Sequence, residues 1–155
     1  MQVHLQRPVR KTTSKTTGKT TAPDASRRIP LILSVDDDPD VSRMIALRMR
    51  SFDVRVERAF FGTQGLCNAV QDKPDLIIMD LAMPNGDGQF VLECLKRDQQ
   101  TRDIPVIVLT GKRDQQLPQQ LLRSGAAQYL RKPISIDELV REIGRFIELR
   151  ELRSD

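Results

Sequence analysis

The chain has 155 residues, with 25 Lys or Arg against 21 Asp or Glu, and a formal net charge of +4. Residues 1–28 hold seven basic residues and one acid, so residues 29–155 carry a net charge of −2 and the basic pI describes the extension. No apolar run approaches the roughly 18 residues that a membrane helix needs. The composition therefore excludes a membrane span and a basic nucleic-acid-binding body, and it predicts one domain after a basic extension.

Residues 1–28 form the predicted extension. Its segment 10–21 reads RKTTSKTTGKTT, which has no periodic apolar face and is typical of disordered chain. Three other roles remain open for it: attachment to nucleic acid or an acidic partner, phosphorylation of its Ser and Thr residues, and a transit peptide with unusually few apolar residues. Cys67 and Cys94 both fall in predicted helices, which indicates a reduced, cytoplasmic protein.

Short apolar runs alternate with helical patterns after residue 29. Runs that are apolar throughout predict strands buried on both faces, as in a parallel sheet. The predicted strands are Leu31–Val35, 54–58, Leu76–Met79, Val106–Leu109 and Gln128–Arg131.

Five helices are predicted between and after these strands. The first carries Val41, Met44, Ile45 and Met49; the second spans 62–72; the third carries Phe90, Val91, Cys94 and Leu95. Pro118 limits the fourth to a short helix that begins near Leu117. The fifth has the stripe Leu139, Val140, Ile143, Phe146 and Ile147, after a capping box of Ser135 and Glu138.

Alternating strands and helices predict an open α/β sheet with helices on both faces. Ligands of such sheets bind at the carboxyl ends of the strands. Asp36-Asp37-Asp38 follow the first strand and Asp80 the third, whereas Thr110 ends the fourth and Lys132-Pro133 follow the fifth. Chemistry is therefore expected at this one edge.

These residue types fit phosphoryl transfer. Several carboxylates at one mouth repel one another, and a hard cation such as Mg²⁺ relieves that repulsion. A lysine ammonium and a threonine hydroxyl supply donors to phosphoryl oxygens, and a carboxylate can itself be the nucleophile that forms an acyl phosphate.

The order of these motifs resembles the receiver domain of two-component response regulators. The resemblance rests on SVDDDP at 34–39, LIIMDLAMP at 76–84 with Asp87-Gly88, VIVLTG at 106–111, and Gly125-Ala126 followed by YLRKP at 129–133. It implies a doubly wound five-stranded parallel sheet of order 2-1-3-4-5. The receiver would span 29–150, followed by a short tail at 151–155.

The resemblance also implies roles for single residues. Asp80 would accept the phosphoryl group from a histidine kinase or phosphotransfer protein. Mg²⁺ would be held by Asp37, Asp80 and the backbone carbonyl of Ala82, with Asp36 acting mostly through a water.

Lys132 and Thr110 would contact the phosphoryl group in this reading. Thr110 and Tyr129 would form a switch in which added charge at Asp80 draws the threonine and lets the tyrosine turn inward. The switch would act on the face of the fourth helix, fifth strand and fifth helix, which binds a downstream protein that the sequence does not name. The resemblance also allows a phosphorylation-dependent dimer.

Three functions are therefore open. The first is a stand-alone receiver, a signalling protein rather than an enzyme, because about six residues follow the fifth helix. The second is a receiver-like scaffold that works without phosphate. The third is a haloacid-dehalogenase-like phosphatase that would use Asp36 and Asp38 but leave Asp80 without a role.

Overall fold

The computed structural model describes residues 27–84 and 86–153. These residues form seven strands and five helices. The strands are β1 (Leu31–Val35), β2 (Arg55–Ala59), β3 (Leu76–Met79), β4 (Ala82–Met83), β5 (Gly86–Asp87), β6 (Val106–Thr110) and β7 (Gln128–Arg131). The helices are α1 (Pro39–Met49), α2 (Gly62–Asp72), α3 (Gly88–Arg97), α4 (Leu117–Arg123) and α5 (Ile136–Ile143).

The main sheet has five parallel strands in the order β2-β1-β3-β6-β7. Strands β6 and β7 are its fourth and fifth strands, so the predicted fold and strand order are confirmed. The short strands β4 and β5 form a separate antiparallel hairpin after Asp80, which the sequence pattern did not indicate.

Helices cover both faces of the sheet. Helices α2, α3 and α4 pack on one face, around Leu33, Ile77 and Val108, and α1 and α5 pack on the other, around Ile32 and Ile107. Each central strand is buried along its whole length because its side chains alternate between the two layers.

Local sequence signals set where several helices begin. Asp38 caps α1 by accepting from the Asp40 N–H, with Pro39 as the first helical residue. Ser135 caps α5 by accepting from the Glu138 N–H at 3.2 Å, as the capping box predicts. Helix α4 begins at Leu117 and has seven residues, as Pro118 predicts.

The predicted fifth helix is too long. Helix α5 ends at Ile143, and the chain turns at Gly144, so Phe146 and Ile147 reach the core from a turn instead of from a helix. Residues 150–152 then run antiparallel to 51–53, with a bridge between Phe52 and Glu151. Apolar periodicity continued past the helix end because the turn buries the same side chains.

Two predicted stripe residues are exposed. Met44 on α1 is 37% exposed and Phe90 on α3 is 60% exposed, although both fit the apolar spacing of their helices. The spacing shows which residues share a helix face, but the width of the buried strip depends on what lies opposite.

Residues 1–26 of the predicted extension, and residues 154–155 of the predicted tail, lie outside the described residues. Arg27 donates to Glu148 at 2.6 Å, and Arg28 donates to the Lys73 carbonyl at 2.8 Å. No helix in the described part of the chain has the length and apolar character needed to cross a membrane.

Candidate functional site

Three carboxylates meet at the carboxyl edge of the sheet. Asp36 and Asp37 directly follow β1, and Asp80 directly follows the neighbouring strand β3. Carboxylate oxygens of the three residues lie within 4.8 Å of one another. Asp36 and Asp80 are buried and Asp37 is exposed, so the group opens to solvent on one side.

Lys132 reaches this group from the end of β7. Its Nζ lies 2.7 Å from Asp36 Oδ2 and 3.4 Å from Asp80 Oδ2. Burial alone would lower the pKa of the Lys132 ammonium, but the hydrogen bond and charge of Asp36, with those of Asp80, outweigh burial and raise it. Lys132 is therefore a permanent cation at neutral pH, and it lies closer to Asp36 than to Asp80. The Lys132-Pro133 peptide bond is cis.

Burial dominates the protonation of Asp36. Removal from water raises the pKa of its carboxyl group, and the hydrogen bonds from Lys132 and from the Asp38 N–H offset this only in part. The backbone is anchored on the other side, because the Asp36 N–H donates to the Ala59 carbonyl at 3.0 Å. The fold therefore holds Asp36 at a position where burial makes its ionised form unfavourable.

Asp38 does not join the acidic group. Its side chain accepts from the Asp40 N–H at 2.9 Å and caps α1. The phosphatase interpretation needs Asp36 and Asp38 as a working pair, and the structure gives that pair no shared site.

Thr110 and Tyr129 are both linked to Lys112. The Thr110 hydroxyl, at the end of β6, accepts from the Lys112 N–H at 3.3 Å and is completely buried. The Tyr129 hydroxyl donates to the Lys112 carbonyl at 3.4 Å, and its ring is half-buried in β7. One peptide segment therefore connects the two predicted switch residues, a link that the sequence did not reveal.

The predicted ligand Ala82 lies beside Asp80. Its N–H donates to Asp80 Oδ1 at 3.1 Å, so the backbone after Asp80 turns back over the carboxylate. Gly88 holds this turn in place from α3. A Cβ at Gly88 would lie 2.5 Å from Leu81 Cα and 2.7 Å from the Asp80 carbonyl oxygen. Only glycine fits there, and the Asp87-Gly88 motif was the available sequence signal.

Arg58 also has a structural role near the site that the sequence analysis did not predict. It reaches from β2 to the start of α1, where it donates to Ser42 Oγ at 2.9 Å and to the Pro39 carbonyl at 3.0 Å. Its guanidinium also stacks 5.1 Å from the centre of the Phe60 ring. Arg58 therefore ties the segment that follows Asp38 to the edge strand.

The donor set fits Mg²⁺. Oxygens of three carboxylates converge, and two of these carboxylates, Asp36 and Asp80, are buried. Mg²⁺ binds hard oxygen ligands of this kind and usually retains several of its own water ligands. The predicted ligands Asp36, Asp37 and Asp80 are thus brought together, and Lys132 contacts two of them.

Comparison with known proteins agrees with this geometry. Residues 32–144 match the response regulator receiver domain. The chain is 39% identical over 115 residues to the DNA-binding dual master transcriptional regulator RpaA of Synechocystis, covering 74% of this chain and 48% of RpaA. It is 34% identical over 112 residues to protein PilH of Pseudomonas aeruginosa, covering 72% of this chain and 93% of PilH. The chain thus spans about half the length of RpaA but nearly all of PilH.

Solved structures show the same fold. The receiver domain of the Francisella response regulator 1452 superposes with a TM-score of 0.69 at 31% identity, covering 76% of this chain and 95% of that one. The chemotaxis protein CheY4 of Vibrio cholerae gives 0.70 at 25% identity, covering 77% and 100%. The sheet order, the converging carboxylates and these matches agree: the chain belongs to the response regulator receiver domain family.

Proposed function

We propose that this protein is a single-domain response regulator that works in the cytoplasm. Asp80 accepts a phosphoryl group, in a Mg²⁺-dependent reaction, from a histidine kinase or phosphotransfer protein. The observation that carries the proposal is the convergence of Asp36, Asp37 and Asp80 within 4.8 Å, with Lys132 Nζ 3.4 Å from Asp80 Oδ2. Its single-domain part is supported by PilH, of which the chain covers 93%.

Asp80 is the nucleophile in this proposal. A carboxylate oxygen attacks the phosphorus of a phosphohistidine; the new P–O bond forms as the P–N bond breaks, and the histidine nitrogen keeps the electron pair and takes a proton. Mg²⁺, held by Asp37, Asp80 and the Ala82 carbonyl with help from Asp36, would supply positive charge for the phosphoryl oxygens. Lys132 would release Asp36 in part and pair with a phosphoryl oxygen.

The switch follows from the shared partner Lys112. When the Thr110 hydroxyl turns toward a phosphoryl oxygen, the Lys112 N–H loses its acceptor, and the Lys112 carbonyl moves with the same segment. The Tyr129 ring then takes a new position, which changes the face formed by α4, β7 and α5. This face would bind the downstream protein, and the protein acts on its own aspartate without turning over a substrate.

An apolar groove beside Lys132 supports a protein as the phosphodonor. The groove is lined by Val41, Met44, Leu109, Lys132, Pro133 and Ile134. An apolar side chain of a partner protein would pack in this groove, next to the Lys132 that contacts Asp80.

The test is intact mass after incubation with Mg²⁺ and phosphoramidate. Wild-type protein should gain one phosphoryl group, and Asp80→Asn or added EDTA should abolish the gain. Asp38→Asn is the matched control, because Asp38 caps α1 and should keep the gain. No gain in folded wild-type protein would sink the proposal and favour the phosphate-independent scaffold.

The switch can be followed in the same samples. The chain has one tyrosine and no tryptophan, so tyrosine fluorescence reports on Tyr129 alone. Phosphorylation should change this fluorescence, and Thr110→Ala should uncouple the change from the mass gain. An identical fluorescence change in Thr110→Ala would remove Thr110 from the switch.

A further inference from the structure

The outer side of α2 lacks the charged face that a solvent-exposed helix normally has. From Gly62 to Gln71 the helix contains no charged residue, and Asp72 is its last residue. On α3, which packs against α2, Phe90 is 60% exposed. We call the surface formed by Leu66, Cys67, Val70, Phe90 and Cys94 the α2–α3 seam.

The two helices pack directly against each other. A Cβ at Gly62 would lie 2.7 Å from Val91 Cγ2, so α2 and α3 touch at Val91, the residue next to Phe90 in the chain. Leu66 and Val70 are four residues apart on α2, as are Phe90 and Cys94 on α3, and each pair therefore shares one side of its helix. A shallow groove runs along α2 past Leu66, Cys67, Val70 and Gln71.

The residue just before α2 is an exposed aromatic residue whose side chain does not cap the helix. Phe61 occupies the N-cap position of α2, is 47% exposed and makes no side-chain capping bond. Ser, Thr, Asp or Asn at this position would satisfy a free N–H. A local rule broken at an exposed aromatic residue, next to a surface without charge, is typical of an interface instead of a solvated face.

We propose that the α2–α3 seam is the contact between two copies of this chain. A two-fold dimer places a surface against itself, so the surface must be compatible with its own charges. The seam is neutral and avoids like-charge repulsion. Its rim on α3 carries opposite charges one turn apart, since Arg97 lies 3.7 Å from Glu93. An antiparallel arrangement sets Glu93 of one copy opposite Arg97 of the other.

This contact differs from the dimer that the family resemblance allows. It uses α2 and α3 instead of the face formed by α4, β7 and α5, and it needs no phosphoryl group on Asp80. Asp80→Asn should therefore associate as wild type does, which keeps this proposal separate from the proposed phosphorylation.

The test is sedimentation velocity of the full chain from about 1 to about 300 μM. Wild type should move from monomer to dimer as its concentration rises, and Phe90→Asp and Val70→Asp should remain monomeric. Leu47→Asp is the matched control: Leu47 is 52% exposed, but it lies on α1, across the sheet. Wild type that stays monomeric, or Phe90→Asp that dimerises as wild type does, would overturn the proposal.

Two further variants guard against misfolding and test the arrangement. Phe90→Gln keeps a neutral side chain and should weaken association about tenfold, with an unchanged circular dichroism spectrum. Glu93→Arg puts like charges opposite each other and should weaken the dimer, and adding Arg97→Glu should restore it. A double variant as weak as Glu93→Arg alone would overturn the antiparallel arrangement.

Discussion

The two edges of the sheet use charge in opposite ways. At the carboxyl edge, Asp36, Asp37 and Asp80 crowd together around Lys132. At the amino edge, charges are paired for the fold, because Asp75 Oδ2 accepts from the Leu31 N–H at 2.8 Å. Arg28 lies 3.7 Å from the same carboxylate oxygen.

This contrast shows how a fold makes room for a ligand. The carboxyl edge keeps like charges that raise the free energy of the folded chain and that a cation would relieve. At the amino edge, the Asp75 carboxylate accepts a backbone N–H and lies near a guanidinium group. If this comparison is correct, removing a carboxylate should stabilise the fold at the carboxyl edge and destabilise it at the amino edge.

The largest effect is expected for Gly88→Ala at the carboxyl edge. The new Cβ collides with the Leu81 backbone and the Asp80 carbonyl, which should lower the free energy of unfolding by about 2 to 3 kcal/mol. Urea unfolding measures this, and the stabilisation by Mg²⁺ should shrink as well. Gly111→Ala is the control, because a Cβ there meets no atom within 4 Å. Equal losses in both variants would contradict the argument.

Asp36→Asn should stabilise the protein. Because the pKa of Asp36 is raised in the folded chain, its ionised form costs stability at pH 7, and this cost disappears as pH falls through the raised pKa toward 3.8. The expected result is a Tm higher by a few degrees at pH 7, with the difference from wild type closing in acid.

The same variant should bind Mg²⁺ more weakly, because one carboxylate is gone. Thermal unfolding with and without Mg²⁺ measures both effects. A lower Tm at pH 7 would show instead that the Lys132–Asp36 pair outweighs the cost of burial.

Whereas Asp36→Asn should stabilise the protein, Asp75→Ala at the amino edge should destabilise it. It leaves the Leu31 N–H without its acceptor and should cost about 1 to 2 kcal/mol in urea unfolding, with no change in the Mg²⁺ effect. Arg28→Ala removes only the long surface pair and a contact to the Lys73 carbonyl, so it should cost less than about 1 kcal/mol. A larger loss in Arg28→Ala would reverse this assignment.

The smallest effect is expected between the edges, at Ser34 in the middle of β1. Its hydroxyl is buried and has no hydrogen-bond partner among the described residues. Ser34→Ala should therefore gain up to about 1 kcal/mol in urea unfolding. Ser42→Ala is the comparison: Ser42 is equally buried but bonds Arg58 and the Pro39 carbonyl, so it should lose stability. A loss at Ser34 would point to a bond that the described residues do not supply.

Much of the fold could be predicted because its signals are local. Strands β1, β3, β6 and β7 match their predicted ranges to within one residue. Asp38 and Ser135 mark helix starts because their side chains accept hydrogen bonds from the first turn, and Pro118 marks one because proline suits the first turn of a helix. The end of α5 could not be predicted, because the turn after the helix packs Phe146 and Ile147 against the same core that a longer helix would reach.

The candidate site divides in the same way. Order along the chain was enough to bring Asp36, Asp37, Asp80 and Lys132 to one edge, since the carboxyl ends of parallel strands must meet there. It did not reveal why residue 88 must be glycine, which is its close approach to the Asp80 carbonyl, or the part of Arg58, whose partners lie 16 and 19 residues away.

Patterns among neighbouring residues were enough to predict most of the helices and strands and the edge where the carboxylates collect, because periodicity and strand ends are local properties. The order of the strands was implied by the resemblance to receiver domains. Three other features come from the folding of the whole chain: Lys132 lies nearer to Asp36, Lys112 joins Thr110 to Tyr129, and Phe90 faces solvent. Those facts depend on distances between residues far apart in the chain and on which helix faces the packing leaves uncovered.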